Sequence, residues 1–435
     1  MKALAALLLL LPLGCAVDYT ESMRPVRSRL ASDMPGEALR AFDEQFPDST
    51  GGDRLLFLME KGNLLRLAGR PSEAIPLLLE ADRLSDMLVG TDLAEEAGAL
   101  LTSDLTRAYR GADYERVFIN YCLASCYTML DQPSEAIVEC RRVGYKLGVL
   151  RERYEEASRY RDDAFVRYLM GALYESTGDL DDALVAYRNS LEIYESDYEG
   201  LYGLGAPDRV KADILRISAA LPGFSDLHDG FAQSWPGIAW HGGADSLNGE
   251  YVVIVEESMI PCRQPSTVQS WGEDRLVRIA VPSIHYYRYD SPRLVVRSGG
   301  LSEEGFLAED LSAIASRNLE DLAARDLARA VARAIVKTAV AEGAEEAVEE
   351  LTGDEDSLLA EGAGFIASLL GAATEQADLR AWLTLPARIH VARMTLPAGR
   401  RDLSVELGGV AVWSGTVDVA AGGVDFLFTR SAGWK

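Results

Sequence analysis

Gly178-Asp-Leu-Asp-Asp-Ala-Leu-Val-Ala-Tyr187 decides how the first half of this chain folds. It reads as the entry to a helix carrying a small residue, Ala183, and an aromatic, Tyr187, one turn later. The same small-residue signature recurs upstream as Gly36-Glu37-Ala38, Ser72-Glu73-Ala74 and Ser134-Glu135-Ala136. Aligned on the alanines, Leu58, Gly62, Leu65, Ala74, Leu78 and Ala81 match Asn120, Ala124, Tyr127, Ala136, Cys140 and Val143. They match again Arg167, Gly171, Tyr174, Ala183, Tyr187 and Ser190, while Ala38 and Phe42 fit a weaker first unit. Small residues at Gly62, Ala124 and Gly171 let two helices approach closely, and the alanines do the same from the facing helix. A single hairpin cannot bury its apolar face, so the hairpins must stack.

This pattern resembles the tetratricopeptide repeat, whose paired helices carry small and aromatic residues at these places. The spacing departs from that family's 34 residues. Ala38 to Ala74 is 36 residues, Ala74 to Ala136 is 62, and Ala136 to Ala183 is 47. The 62 leaves room for an inserted hairpin around Leu93–Tyr109, and the 47 implies a second helix lengthened through Arg141–Arg161. Ala206–Leu221 reads as the closing helix, with Pro207 at its start. Arrays of this kind present a concave face to a peptide or protein, and Tyr127 and Tyr174 are the candidate binding residues there. The alternative is an array that only packs against the C-terminal half.

The formal net charge of −25 repels nucleic acid and anionic membrane surfaces and favours solubility. Four histidines leave few candidates for acid/base or metal chemistry, and no catalytic constellation, cofactor motif or metal-ligand spacing is evident. Cys122, Cys126 and Cys140 fall within one hairpin. They read as small buried apolar side chains in preference to metal ligands, with a Cys140–Cys126 disulfide left open.

Met1-Lys2 precedes an apolar run from Ala3 to Leu13, too short for the roughly 20 residues that span a bilayer. It has the form of a secretory signal. Leu11-Pro-Leu-Gly-Cys15 resembles the lipobox of bacterial lipoproteins, although Pro12 stands where Leu is usual. The resemblance implies cleavage before Cys15 and lipidation of Cys15. Ala16 follows, without the Asp that signals inner-membrane retention. This implies an outer-membrane anchor facing the periplasm.

Downstream, Phe224–Gly243 is an aromatic junction, with Phe231, Trp235 and Trp240 among turn formers, that reads as an ordered loop packed between domains, with a binding lip as the alternative. Strands are expected at Glu250–Glu256, Arg275–Val281 and Leu294–Arg297. Ser302-Glu-Glu reads as the cap of a helix. A long helix from Leu319 to Glu342 carries an apolar stripe and, beside it, Arg325, Arg329, Arg333 and Lys337 at intervals of four. That basic stripe is a candidate site for a carboxylate, phosphate or glycan. Pairing with the chain's own acids, Asp326 and Glu345–Glu350, is the simpler alternative. Arg388–Met394, Asp402–Leu407, Val410–Trp413, Thr416–Ala420 and Val424–Thr429 are expected to form a small antiparallel sandwich.

The fold class read from these pieces is α+β and multidomain. An N-terminal α-helical array is followed by a mixed region of small antiparallel sheets and a long helix. The expected divisions are a signal at 1–14, a lipidated tether at 15–22, the array at 23–222, the junction and a small β region at 223–300, a helical region at 301–380 and a β region at 381–435. The whole resembles bacterial envelope lipoproteins with an N-terminal tetratricopeptide region. That resemblance implies a non-enzymatic adaptor or scaffold for a periplasmic or envelope protein, linked to peptidoglycan synthesis. A glycan- or lipid-handling protein using the basic stripe is the alternative.

Overall fold

Four helical hairpins stack in the order the alanine marks predict. Among the described residues, α1 (Tyr19–Leu30) packs on α2 (Pro35–Gln45), and α3 (Arg54–Leu67) on α4 (Pro71–Gly90). α5 (Asp113–Met129) packs on α6 (Pro133–Arg153), and α7 (Ala164–Thr177) on α8 (Leu180–Ile193). The structure, a computed structural model, describes residues 19–48, 51–90, 108–153, 160–271, 276–286, 289–321 and 377–432. Cys15, most of the hairpin expected around Leu93–Tyr109, and the stripe Arg325, Arg329, Arg333 and Lys337 lie outside these residues.

The repeat positions meet as their chemistry requires. A Cβ on Gly62 would stand 2.7 Å from Leu78 of the facing helix, and a Cβ on Gly171 would stand 2.7 Å from the Tyr187 ring. The middle hairpin places Ala124 and Cys140 at the same positions, both buried. Only a small side chain fits opposite a large one at this separation, so the offsets select close helix packing. α7 ends at Gly178, whose φ of 84° is the left-handed cap that glycine adopts without steric cost. α6 is lengthened and runs to Arg153. A π-helical turn, Tyr194–Tyr198, and a short turn of helix, Glu199–Tyr202, lead to the closing helix α9 (Asp208–Ala220), whose N-cap is Pro207. α10 (Ser225–Ser234) follows.

Sheet A orders its strands β10-β1-β7-β6, with β1 at Asn248–Glu257, β6 at Phe306–Glu309, β7 at Arg388–Pro397 and β10 at Val424–Ser431. Sheet C orders them β5-β4-β8-β9, with β4 at Leu294–Ser298, β5 at Leu301–Glu304, β8 at Gly399–Leu407 and β9 at Val410–Val419. A separate hairpin joins β2 (Gln264–Trp271) to β3 (Leu276–Ser283). Alternation along β1 assigns the layers. Val252 and Ile254, with Ile389 and Val391 of β7, share a core with the helices. Val253 and Val255, with Ala392 and Met394, share a second core with Val296 and Val405 of sheet C. The helical array, sheet A and sheet C are thus three successive layers.

Three expectations are corrected. Ser302 does not cap a helix: Gly299 turns the chain, Leu301 pairs back onto Ser298, and β5 and β6 occupy that stretch. The helix starts at 311, and its cap is Asp310, whose Oδ1 accepts from the Ala313 N–H at 3.0 Å. Val410–Trp413 and Thr416–Ala420 are one strand, β9, because Ser414 and Gly415 stay paired with Ser404 and Leu403 of β8. The strands after 388 do not make a sandwich among themselves. They build it with β1 and β4, and β10 runs parallel to β1 in an otherwise antiparallel set.

Candidate functional site: the filled inner face of the array

The first helix of each full hairpin is apolar almost all round. In α3, every residue from Leu55 to Arg66 except Lys61 is buried, and in α5 every residue from Asp113 to Cys126. In α7 the same holds from Ala164 to Glu175, Arg167 apart. A helix like this needs cover on both sides. The second helices cover one side. The C-terminal half covers the other.

The filling segment is 377–387, an irregular stretch ahead of β7. Its backbone is satisfied by side chains of the array. Glu60 of α3 accepts from the Leu383 N–H at 2.6 Å, the Thr384 N–H at 3.2 Å, the Thr384 hydroxyl at 2.6 Å and the Tyr19 hydroxyl at 3.1 Å. Glu115 of α5 accepts from the Trp382 N–H at 2.8 Å. Asn63 donates to the Thr384 carbonyl at 3.0 Å, and Arg27 donates to the Leu383 carbonyl at 2.6 Å and the Ile260 carbonyl at 3.0 Å. Trp382 is fully buried. A buried peptide group must find a partner, and here donors and acceptors spread over three helices satisfy the backbone of a short irregular segment. Burial pushes the Glu60 carboxyl up to about 7, against the pull of the Thr384, Leu383 and Tyr19 donors.

At the other end of the array the contact with sheet A is ionic. Arg393 of β7 donates to Glu175 of α7 at 2.7 and 2.8 Å, to Glu250 of β1 through Nε at 2.9 Å, and to the Tyr187 hydroxyl at 2.8 Å. Arg216 of α9 donates to both oxygens of Glu175 at 2.7 and 2.8 Å and to Asp213 at 3.0 Å. Tyr168 and Arg209 complete the shell of Asp213. Three carboxylates thus face three guanidiniums. Burial alone would raise the Glu175 carboxyl, but the charges of Arg393 and Arg216 outweigh it and hold it down to about 2. Arg66 of α3 makes a third link, to Glu256 of β1 at 2.9 Å, where the Tyr121 hydroxyl also donates at 2.8 Å.

A further polar group sits at the far end of sheet A. His390 and Glu257 are 2.8 Å apart and both buried, with the Tyr289 hydroxyl on Glu257 at 3.2 Å. Arg388 lies 3.8 Å from the Tyr289 ring centroid and donates to Asp310 at 3.1 Å. No local pattern marks this pairing, since His390 and Glu257 are 133 residues apart in the chain.

Tyr174 is 6% exposed, and its hydroxyl accepts from Arg141 Nε at 2.8 Å, with the guanidinium 5.4 Å from the ring centroid. It packs hairpin against hairpin. Tyr127 is half-buried at the end of α5. Cys122, Cys126 and Cys140 are free thiols in the core, and burial pushes Cys122 and Cys126 up to about 12. Among the described residues no cluster of His, Cys, Asp and Glu has the form of a metal site.

The free surface lies elsewhere. On the outer face of α6, Val138, Tyr145 and Val149 are exposed at intervals of 7 and 4, which is one stripe of a helix. At the end of the array, Phe231 of α10 and its C-cap residue Trp235 stack at 5.2 Å beside a cavity of about 450 Å³ that Arg188, Glu192 and Glu195 also line. Phe231 and Trp235 were expected to pack; half-buried, they do so against each other while bordering this opening.

No protein family matches the chain, and no curated protein matches it in sequence. Solved helical-repeat structures are similar over about half of it. A crystal structure of MamA is 17% identical, covering 48% of this chain and 90% of that one with a TM-score of 0.29. A putative kinesin light chain of Podosopora anserina with nearly identical TPR-like repeats is 13% identical, covering 50% and 93% with a TM-score of 0.35. BtubC from P. vanneervenii is 17% identical, covering 50% and 80% with a TM-score of 0.32. The repeat assignment itself rests on the hairpins described above.

Proposed function

We propose that the protein is a non-enzymatic scaffold of the cell envelope, tethered through a lipid on Cys15, that holds an envelope or periplasmic protein on its outer surfaces. One observation carries this reading. The inner face of the array is occupied by the chain's own 377–387 segment, while α6 keeps Val138, Tyr145 and Val149 exposed in one stripe. A tetratricopeptide-like array committed in this way offers a partner its outer helices and its end in place of its groove. The envelope address rests on the signal-like run and on the Gly14-Cys15 junction. A role beside the machinery of peptidoglycan synthesis follows from the resemblance to envelope lipoproteins. Among the described residues no helix is long and apolar enough to cross a membrane. The proposed anchor is the lipid on Cys15.

Photo-crosslinking residues introduced in intact cells test the scaffold role. Tyr145, which is 75% exposed, and Trp235 should each yield a discrete protein adduct, whereas buried Tyr174 should yield none. Absence of adducts at both surface positions overturns the outer-surface reading. Cys15→Ser should abolish acyl labelling and release the chain from the membrane fraction; retention of both would sink the lipid anchor.

A further inference from the structure

The turn between α1 and α2, the turn between β8 and β9, and the end of β10 enclose a cavity of about 430 Å³. Leu407, Val410 and Val412 give it apolar walls, and Ser32, Asp33 and Arg430 give it polar ones.

Arg430 is the unusual member. It sits on β10 directly opposite Glu256 of β1, but Glu256 is already taken by Arg66 and Tyr121. Arg430 keeps one hydrogen bond, donated by Nη2 to the Ser258 carbonyl at 3.2 Å, and its buried Nη1 has no partner. Arg27, nearby, spends its guanidinium on the carbonyls of Leu383 and Ile260, which are neutral. Three guanidiniums therefore stand near two carboxylates, Glu256 and Asp33, in a chain whose net charge is −25. Burial, with Arg66 and Arg27 close by, pushes Arg430 down to about 10, in spite of Glu256 and Asp33. A buried guanidinium ordinarily finds an acid of its own chain, as Arg393, Arg216 and Arg388 do here.

We propose that this cavity binds a small amphipathic carboxylate, with its anionic head on Arg430 and its apolar body against Leu407, Val410 and Val412. A guanidinium matches a carboxylate with paired planar donors. Asp33 on the same wall selects a monoanion, because a second negative charge on the ligand would face it directly. The apolar walls select a body of several methylenes over a bare ion.

Calorimetric titration of the full chain with octanoate, octanol and inorganic phosphate tests this. Octanoate should bind, and octanol and phosphate should bind at least about tenfold more weakly, since each lacks one half of the recognition. Arg430→Gln should weaken octanoate by about tenfold or more. Val410 is 59% exposed, so Val410→Trp should fill the cavity and abolish octanoate binding while the thermal midpoint stays unchanged. If Arg430→Gln fails to fold, the Val410→Trp titration decides. The proposal is overturned if octanoate does not bind, if phosphate binds as tightly, or if either folded variant binds octanoate as the parent chain does.

Discussion

The array holds the C-terminal half in two contrasting ways, by ion pairs to sheet A and by capture of the 377–387 backbone. At the α7–α9 end, Glu175, Asp213 and Glu250 face Arg393, Arg216 and Arg209, and the charges balance. At the α3 end, Glu60 is buried against backbone N–H groups and hydroxyls, and none of its hydrogen bonds comes from a cation. Both arrangements satisfy buried polar atoms, but in the first the neighbouring guanidiniums hold Glu175 and Asp213 well below the usual carboxylate range. Ion pairing there fixes register without a group that titrates near neutrality. Peptide-group capture fixes it just as locally and leaves a group that titrates close to neutrality.

Removing the pivot of the ionic end should have the largest effect. Arg393→Met leaves Glu175 and Glu250 partly unpaired in the interior and should cost about 3 to 5 kcal/mol, read as a lowered urea midpoint. Equal midpoints for the variant and the parent would mean that the cluster does not hold the layers together. At the other end, Glu60→Ala strips acceptors from Leu383 and Thr384 and should cost about 1 to 3 kcal/mol. Its amide protons at 382–384 should exchange faster in the variant; unchanged exchange there would show that the segment is held by packing alone.

The pH dependence sharpens the contrast. The carboxyl of Glu60 is raised in the folded state, so its stabilising contribution is complete below its ordinary value and is lost as pH rises through about 7. Asp163, raised to about 6 by burial, and its raised neighbour Glu309 have the same sign. Glu175 has the opposite sign: its contribution is complete above its ordinary value and is lost as pH falls toward about 2. Stability should therefore fall by about 1 to 3 kcal/mol between about pH 5 and about pH 8, and Glu60→Gln should flatten the upper part of that slope. A parent curve that rises over this interval would reverse the assignment. The smallest effect belongs to Tyr174→Phe, which removes only the acceptor for Arg141 and should cost about 0.5 to 1.5 kcal/mol by the same urea titration. A larger loss would give Tyr174 a role beyond packing between hairpins.

What was legible in the sequence follows the range of the interactions. Gly62 with Leu78, and Gly171 with Tyr187, meet across one hairpin, so their spacing repeats and can be read. The Asp310 cap was missed because Ser302-Glu-Glu offers the same local signature, and only the pairing of Leu301 with Ser298 decides against it. The hairpin β2–β3 was half seen, because Gln264–Trp271 has few apolar residues to mark it. Glu60 and the segment it holds are separated by 323 and 324 residues, and no local period can carry that relation. One signal was present. Glu60, Asn63 and Arg66 interrupt an apolar run at intervals of three, and polar residues set in a helix buried all round imply internal partners. The same holds for Glu115 in α5 and Glu175 in α7.

The parallel pairing of β10 with β1 bears on how the chain folds. β1 is central in sheet A, between β7 and β10, and Glu250 pairs with Thr395 on one side and Val424 on the other. Closing loops of that length is entropically slow, and contacts so distant in sequence do not form until nearly the whole chain is available. Until then α3, α5 and α7 have no cover on their inner side, and the half-made protein exposes what the finished one buries. The cover of these helices thus comes from far along the chain, from 377–387 and from β10, and the array waits for both.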